Sequence, residues 1–242
     1  MLFFSRIGLV VLTMWFALFA GSANAVPTLQ LGIVGGTYDS TTQTIIATSS
    51  VFSLYAYIKP DSTNTLSDTY YLSMALTPKV SASANLGSFT YNGNTVNATA
   101  DMTYGTPPID AFSQAFDPGD LSRHGVFPTY FKEVGFSFDS SNTSGIINTT
   151  DNPASGPIAG SGMYYKRFDF NTTNLAAGYG VHFDLYNTKL SGTDTDITQF
   201  APFSHDAQSM IVSPVPEAQT YAMMMVGLGL IGFSVRRKKH EA

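Results

Sequence analysis

The chain has 242 residues, of which 44% are hydrophobic and only 12% are charged, and its net charge at neutral pH is −5. It contains no cysteine, which excludes disulfide bonds, thiol catalysis and zinc–thiolate sites. Residues 26–213 carry fifteen acidic and seven basic side chains. This acidic balance disfavours nucleic acid as a partner, because nucleic-acid binding depends on neutralising phosphates with Lys and Arg.

The first 25 residues have the pattern of a secretory signal peptide. Arg6 precedes an apolar stretch over 7–20, and a sequence of small residues ending at Ala25 matches a cleavage site. The apolar stretch has about 14 residues, whereas a bilayer-spanning anchor needs roughly 20. We therefore predict that the export machinery recognises this segment and that cleavage after Ala25 leaves Val26 as the first residue.

Between the two ends, apolar side chains alternate with polar ones along many short segments. This period of two predicts strands with one face on a core and the other face in solvent. Ser, Thr, Asn and Gly crowd the intervening stretches, where they favour turns. The predicted strands are 28–34, 43–49, 51–58, 69–76, 87–91, a segment around 134–138, 163–170 and 181–185.

The turn signals favour an antiparallel arrangement. Asn92-Gly93 predicts a type I′ hairpin turn within 89–96. Many short strands at this spacing predict an all-β fold, an antiparallel β-sandwich or jelly roll, as one exported domain over 26–213. Residues 101–128 interrupt the pattern with several prolines and predict a long loop.

Residues 214–242 have the arrangement of a membrane-sorting signal. A Pro216-Glu217 turn precedes an apolar stretch over 221–235 that has no polar stripe and contains glycines, which membrane helices tolerate. We predict a single transmembrane helix over about 221–235, with the tail 236–242 in the cytoplasm. A buried helix of a soluble domain is the alternative, because the stretch would be only about 22 Å long. The basic residues that stop translocation are Arg236, Arg237, Lys238 and Lys239.

This tail resembles the C-terminal sorting signal of bacterial PEP-CTERM proteins. In that family an integral-membrane exosortase recognises a Pro-Glu-Pro tripeptide with its helix and basic stop, and processes the cargo for the envelope or matrix. Ala218 stands here where the family usually has its second proline. The resemblance implies that Pro216 and Glu217 are the recognised motif and that an exosortase-type enzyme is a partner.

The exported region resembles a second family in five stretches: 35–39, 68–73, 124–131, 182–186 and 201–207. They resemble the choice-of-anchor N family of bacterial surface proteins, in which related cores carry different anchoring tails. This resemblance implies a modular exported core in front of the sorting signal, and it implies no particular activity.

The sequence contains no convincing catalytic constellation. Ser204-His205-Asp206 has the residue types of a hydrolase triad, but adjacent residues cannot converge as a triad does. Glu133 is the only glutamate of the exported region, and no signature selects a pair of carboxylates for glycoside hydrolysis. We predict a protein that is not an enzyme, with a secreted hydrolase as an alternative.

Aspartates supply the candidate calcium ligands. Asp194 and Asp196 have the alternate spacing of such ligands. Asp117, Asp120 and Asp206 add carboxylates only if the fold brings them near. The pattern of an EF-hand is absent, and a solvated acidic loop is the alternative. The prediction is a protein without a cofactor, with calcium as the alternative.

Histidines supply a second candidate metal site. His124, His182 and His205 are the histidines of the exported region, and they form a zinc site only if they converge. His182 and Asp184 share the face of a predicted strand that points away from the apolar residues. Surface or hydrogen-bonded histidines are the alternative.

The composition and signals together predict a surface-sorted protein with a structural or interaction role in the envelope, matrix or biofilm. It would pass the inner membrane, be anchored there transiently, and then reach the envelope or the medium. A carbohydrate-binding or adhesion module is the alternative, with Tyr55, Tyr57 and Tyr71 as exposed rings that stack on a polysaccharide. Burial of those rings would contradict it.

Overall fold

The computed structural model describes residues 26–80, 85–105, 128–191 and 194–211, together with Val226 and Leu228. Along 188–191 and 194–198, and at residue 203, only the backbone is described. This part of the chain forms fourteen strands and one 3-10 turn, Phe203–His205. The strands are β1 (Leu29–Ile33), β2 (Thr37–Asp39), β3 (Thr44–Ile46), β4 (Val51–Ile58), β5 (Tyr70–Thr77), β6 (Ser88–Tyr91), β7 (Asn94–Asn97), β8 (Thr103–Gly105), β9 (Thr129–Phe136), β10 (Thr143–Gly145), β11 (Gly162–Asn171), β12 (Gly180–Ser191), β13 (Asp194–Phe200) and β14 (Asp206–Gln208).

The strands build two sheets. The six-stranded sheet has the order β1-β4-β11-β6-β7, with β10 also paired to β11. The eight-stranded sheet has the order β2-β3-β14-β12-β5-β9-β8, with β13 also paired to β12. Among the described strand pairs, β14 with β3 is parallel and the others are antiparallel. The prediction of an all-β fold is therefore confirmed.

The hydrophobic core is built mainly on two long antiparallel strand pairs. β4 pairs with β11 from Val51–Asn171 to Ile58–Tyr164, and β5 pairs with β12 from Tyr70–Asn187 to Thr77–Gly180. Because side chains alternate along a strand, each ladder presents one continuous apolar face. These faces contribute most of the buried core, which includes Phe52, Leu54, Phe168, Phe170, Leu72, Met74, Phe183 and Leu185.

Aromatic rings join the two sheets at the centre of this core. The ring centroids of Phe170 and Phe183 are 4.7 Å apart, and those of Phe52 and Phe183 are 6.0 Å apart. Phe52 and Phe170 belong to the six-stranded sheet and Phe183 to the other, so these contacts cross the interface between the sheets. Packing of this kind is what holds a domain together when it has no cysteine.

Strong alternation located the long strands well. The predicted strand 51–58 coincides with β4, and the segments 69–76 and 163–170 differ from β5 and β11 by one residue at each end. Asn92 and Gly93 have φ values of 47° and 78°, as a type I′ turn between β6 and β7 requires. The sequence reasoning missed β2, β8, β10, β13 and β14, and four of these five have only three residues, too few to show a period.

The prediction that the second face of each strand lies in solvent is wrong for several strands. All five residues of β1 are buried, including Gln30 on the outer face. Gln30 Nε2 donates a hydrogen bond to the Ile147 carbonyl (2.9 Å), and its Oε1 accepts one from the Thr149 amide (2.9 Å). A Cβ added to Gly32 would lie 3.1 Å from Thr149 Cγ2, so glycine permits this close approach. The segment over 146–149 therefore covers the outer face of the six-stranded sheet.

Several predicted features lie outside the described residues. These are the signal peptide with its cleavage site at Ala25, residues 106–127 of the predicted loop, and the sorting tail apart from Val226 and Leu228, which are helical and exposed. Within the described part of the chain, no helix has the length and apolarity needed to cross a membrane.

The inter-sheet aromatic contacts generate a stability prediction. Phe183→Ala should lower the free energy of unfolding by about 3–5 kcal/mol, because it removes a fully buried ring and leaves a cavity. Val51→Ala is the control, since Val51 is 60% exposed and its replacement should change stability by less than about 0.5 kcal/mol. Urea denaturation followed by circular dichroism measures both, and equal effects would contradict the packing described above.

Candidate functional site

Polar side chains of two neighbouring strands meet on the outer face of the eight-stranded sheet. On β12, His182 and Asp184 point away from the core, because Phe183 between them points inward. On β14, Ala207 is the register partner of Phe183 and is part of the core. Its neighbour Asp206 therefore points outward and lies opposite Asp184 in the same antiparallel ladder.

These three side chains form a compact cluster, which we call the His-Asp-Asp cluster (His182, Asp184 and Asp206). His182 Nε2 lies 3.4 Å from Asp184 Oδ1 and 4.0 Å from Asp206 Oδ2. One ligand-type atom from each residue lies within 4.8 Å of the others. Asp184 is 2% exposed and Asp206 is fully buried, whereas the His182 side chain is 16% exposed. The imidazole is therefore the member of the cluster that contacts solvent.

Ser73 adds a hydroxyl beside the cluster. It lies on β5, where its register partner on one side is Asp184 and on the other side is Glu133. Register partners on one face have Cβ atoms about 4.5–5.5 Å apart, so the Ser73 hydroxyl borders the cluster. Ser73 is fully buried, and its Oγ has no hydrogen-bond partner in the described part of the chain.

The electrostatics of the cluster are dominated by burial. Burial raises the pKa of Asp206 well above its ordinary value, and the nearby Asp184 carboxylate raises it further, while His182 opposes the shift. Two carboxylates beside one imidazole make this buried site net negative when both acids are ionised. Such charge is costly to bury unless a cation or protons neutralise it.

A stack of aromatic rings borders the cluster on the same face. The ring of Tyr186 lies parallel to those of Tyr71 and Phe200, with centroid distances of 5.8 Å and 5.3 Å. The Tyr186 hydroxyl donates a hydrogen bond to Glu133 Oε1. Burial, followed by the charge of Glu133, raises the pKa of Tyr186 well above its ordinary value, so the phenol keeps its proton. The ring of Tyr186 is itself buried and lies two residues beyond Asp184 on the same face of β12.

His205 belongs to a different environment from His182. Its Nε2 is hydrogen-bonded to Asn148 Oδ1 (3.0 Å) and its Nδ1 to Ser204 Oγ (2.9 Å). Burial lowers the pKa of the His205 imidazole to about 4, although Asp151 opposes this, so the ring is neutral at ordinary pH. Both ring nitrogens thus contact local partners, and His205 serves as a hydrogen-bonded structural histidine.

The predicted histidine site is therefore only partly assembled. The structure places His182 beside two carboxylates, and His205 is not a member of that group. His124 lies outside the described residues. The rejected Ser204-His205-Asp206 triad is likewise not formed, because the Asp206 carboxylate faces His182 on the outer face of the sheet.

The calcium candidates are separate from this cluster. Asp194 and Asp196 lie on β13, and their side chains are outside the described part of the structure. The backbone register places Asp196 opposite Lys189, five residues beyond Asp184 on β12. That separation is about 17 Å at the usual rise of a strand. The backbone of Asp206 therefore does not lie near the backbones of Asp194 and Asp196.

The aromatic residues proposed to bind sugar do not form an exposed set. Tyr57 is fully buried and packs with Ile147 and Met163 in a second small cluster on the outer face of the six-stranded sheet. Tyr71 stacks against Tyr186 on the other sheet, so its ring is not coplanar with those of Tyr55 and Tyr57 in one platform. The expectation of an exposed Tyr57 is wrong, because the segment over 146–149 covers that face.

Comparison with known protein families identifies the C-terminal tail. Residues 214–238 match the model described as the PEP-CTERM protein-sorting motif, which covers Pro216, Glu217 and the first three basic residues of the stop. No curated protein and no solved structure matches the chain. The motif marks the protein as exported and sorted, with an exosortase as its processing partner. The likeness of the exported region to the choice-of-anchor N family stays a prediction.

Tyr57 provides a test of the covered face. Its hydroxyl is buried and has no hydrogen-bond partner in the described residues. Tyr57→Phe should leave the free energy of unfolding unchanged or raise it by up to about 1 kcal/mol, because an unsatisfied polar atom is removed. Tyr57→Ala should lower it by about 3–5 kcal/mol. Urea denaturation distinguishes the two, and a clear loss for Tyr57→Phe would show that the hydroxyl has a partner.

Proposed function

We propose that this chain is a non-enzymatic protein of the bacterial envelope or extracellular matrix with a structural or interaction role. The match of residues 214–238 to the PEP-CTERM protein-sorting motif carries the proposal, since that motif directs cargo to an exosortase. In this reading the apolar stretch over 221–235 is a transient transmembrane helix. Pro216 and Glu217 are the recognised element, and the basic residues that follow the helix hold its end in the cytoplasm.

The distribution of aspartates supports a structural role. Asp39, Asp61, Asp101 and Asp139 each accept a hydrogen bond from a backbone amide of a nearby residue, at 2.8–2.9 Å. These amide donations lower the pKa of Asp39, Asp101 and Asp139 below its ordinary value. The acids therefore stabilise turns between strands, as Asp side chains commonly do. Four of the fifteen acidic residues of 26–213 are thus explained without a charged substrate.

The core supports the same proposal. An exported domain without disulfides must be stable through packing alone, and this one buries aromatic rings from both sheets in one continuous cluster. Its two adjacent carboxylates, Asp184 and Asp206, are buried on the outer face of the eight-stranded sheet. A glycoside hydrolase instead needs two carboxyl groups about 5–10 Å apart on either side of a scissile bond. The alternative of a secreted hydrolase gains no support from this arrangement.

The intact mass of the protein from its native host tests the proposal. The wild-type protein should begin at Val26 and end near Glu217, and it should be recovered from the envelope or the medium. A Pro216→Ala, Glu217→Ala double variant should keep its tail through Ala242 and remain in the membrane fraction, because the enzyme no longer recognises its substrate.

Two further variants make this test specific. Gln219→Ala changes a residue next to the motif and should be processed like the wild type. Ala218→Pro creates the Pro-Glu-Pro tripeptide and should be processed at least as well. A tail that is intact in every fraction of the wild type would contradict sorting by an exosortase and leave a single-span membrane protein.

A further inference from the structure

We propose that the His-Asp-Asp cluster is a binding site for one divalent first-row transition-metal ion, such as Zn²⁺ or Mn²⁺, that joins β14 to β12. His182 Nε2 and one carboxylate oxygen each from Asp184 and Asp206 are the protein ligands. This site is distinct from the proposed sorting function and from the calcium candidates on β13.

The spacing of the ligand atoms suits such an ion. Metal–nitrogen and metal–oxygen bonds of about 2.0–2.2 Å place neighbouring ligand atoms roughly 3.0–3.5 Å apart. The separation of 3.4 Å between His182 Nε2 and Asp184 Oδ1 lies in this range, and that of 4.0 Å to Asp206 Oδ2 is slightly larger. The three ligand atoms lie within 4.8 Å of one another, so a bound ion would draw the Asp184 and Asp206 carboxylates closer together while the backbones of β12 and β14 stay paired.

Charge provides the second argument. Asp206 is fully buried and Asp184 nearly so. Continuing the β12–β14 register by one residue places the two opposite each other. A divalent cation neutralises two carboxylates at once, which removes the main cost of burying them together.

Ser73 gives an independent observation that points to a ligand. Its hydroxyl is fully buried, borders Asp184 across the β5–β12 ladder, and has no hydrogen-bond partner in the described part of the chain. A buried hydroxyl without a partner is unusual, since nearly all such groups are satisfied. In a loaded site, Ser73 Oγ can donate to a metal-bound carboxylate or water, as groups around metal ligands commonly do.

The donor atoms of the cluster indicate which class of metal ion fits the site. One imidazole and two carboxylates form a nitrogen and oxygen site, which suits Zn²⁺ or Mn²⁺ better than a thiol-seeking ion. Ca²⁺ prefers six to eight oxygen ligands, and Mg²⁺ prefers an octahedron of oxygens that includes several waters. His182 is partly exposed, so an ion can enter from its side and keep an open position there.

Because of where its ligands lie, the bound ion should stabilise the fold. β14 has three residues and pairs with β12 over His182–Gln208 and Phe183–Ala207. A metal that bridges Asp206 to His182 and Asp184 crosslinks this short strand to the centre of the eight-stranded sheet. Because the ion binds the folded state, it should raise the midpoint of thermal unfolding.

The experiment uses untagged, processed protein purified from its host and stripped with EDTA. Isothermal titration with ZnCl₂ or MnCl₂ should show one site per chain, and either ion should raise the midpoint of thermal unfolding. CaCl₂ should do neither at the same concentration. His182→Gln and Asp206→Asn should each weaken metal binding at least tenfold and abolish the metal-dependent shift.

Asp169→Asn is the matched control, because it makes the same charge change at an exposed carboxylate that pairs with Arg167 on the other sheet. It should bind metal like the wild type. His182 is partly exposed, so His182→Gln provides the test if Asp206→Asn does not fold. Wild-type protein without a binding event, equal affinity in His182→Gln, or a preference for Ca²⁺ would each overturn the proposal.

Discussion

The contact between Phe170 of β11 and Phe183 of β12 lies where the two sheets of this protein meet. Each ring is nearly or fully buried, and burying such a side chain contributes about 1.5–3 kcal/mol. The chain has no cysteine, so no covalent bond assists this packing. The registers of β4 with β11 and of β5 with β12 follow from the need to place these rings and their apolar neighbours on facing surfaces.

The same constraint creates the polar cluster on the other side of the eight-stranded sheet. Because Phe183 must point inward, the residues before and after it, His182 and Asp184, must point outward. Because Ala207 packs inward beside Phe183, Asp206 is brought opposite Asp184. A slip of β14 by one residue would turn Asp206 toward the apolar core, where an ionised carboxylate is strongly disfavoured. Core and cluster are thus two consequences of one register.

Sequence reasoning recovered the parts of the fold that local patterns determine. Strong alternation located β4, β5 and β11, and Asn92-Gly93 located the β6–β7 hairpin, because these signals depend on neighbouring residues alone. It also placed His182 and Asp184 on one outward face of a strand. The third member of the cluster could not be assigned, since β14 has too few residues to show a period and its neighbours in the sheet are distant in sequence.

The sequence also did not predict that residues on the outer faces of the sheets are buried. Gln30 and Ser73 have the polar character of solvent-facing positions in otherwise apolar strands, yet both are fully buried. Gln30 is buried because a segment more than a hundred residues away lies over it and exchanges hydrogen bonds with its amide. A polar residue inside a strand therefore indicates either solvent or a covering segment. Only the long-range arrangement of the chain distinguishes the two.

The position of the last strand limits the distance between the folded domain and the sorting motif. β14 is hydrogen-bonded on both sides and ends at Gln208, and the sorting motif begins at residue 214. Six residues span at most about 20 Å when fully extended. The stretch between the last strand and the sorting motif is thus short. In the proposed function, an exosortase that engages Pro216 and Glu217 would therefore act within nine residues of β14, close to the folded domain.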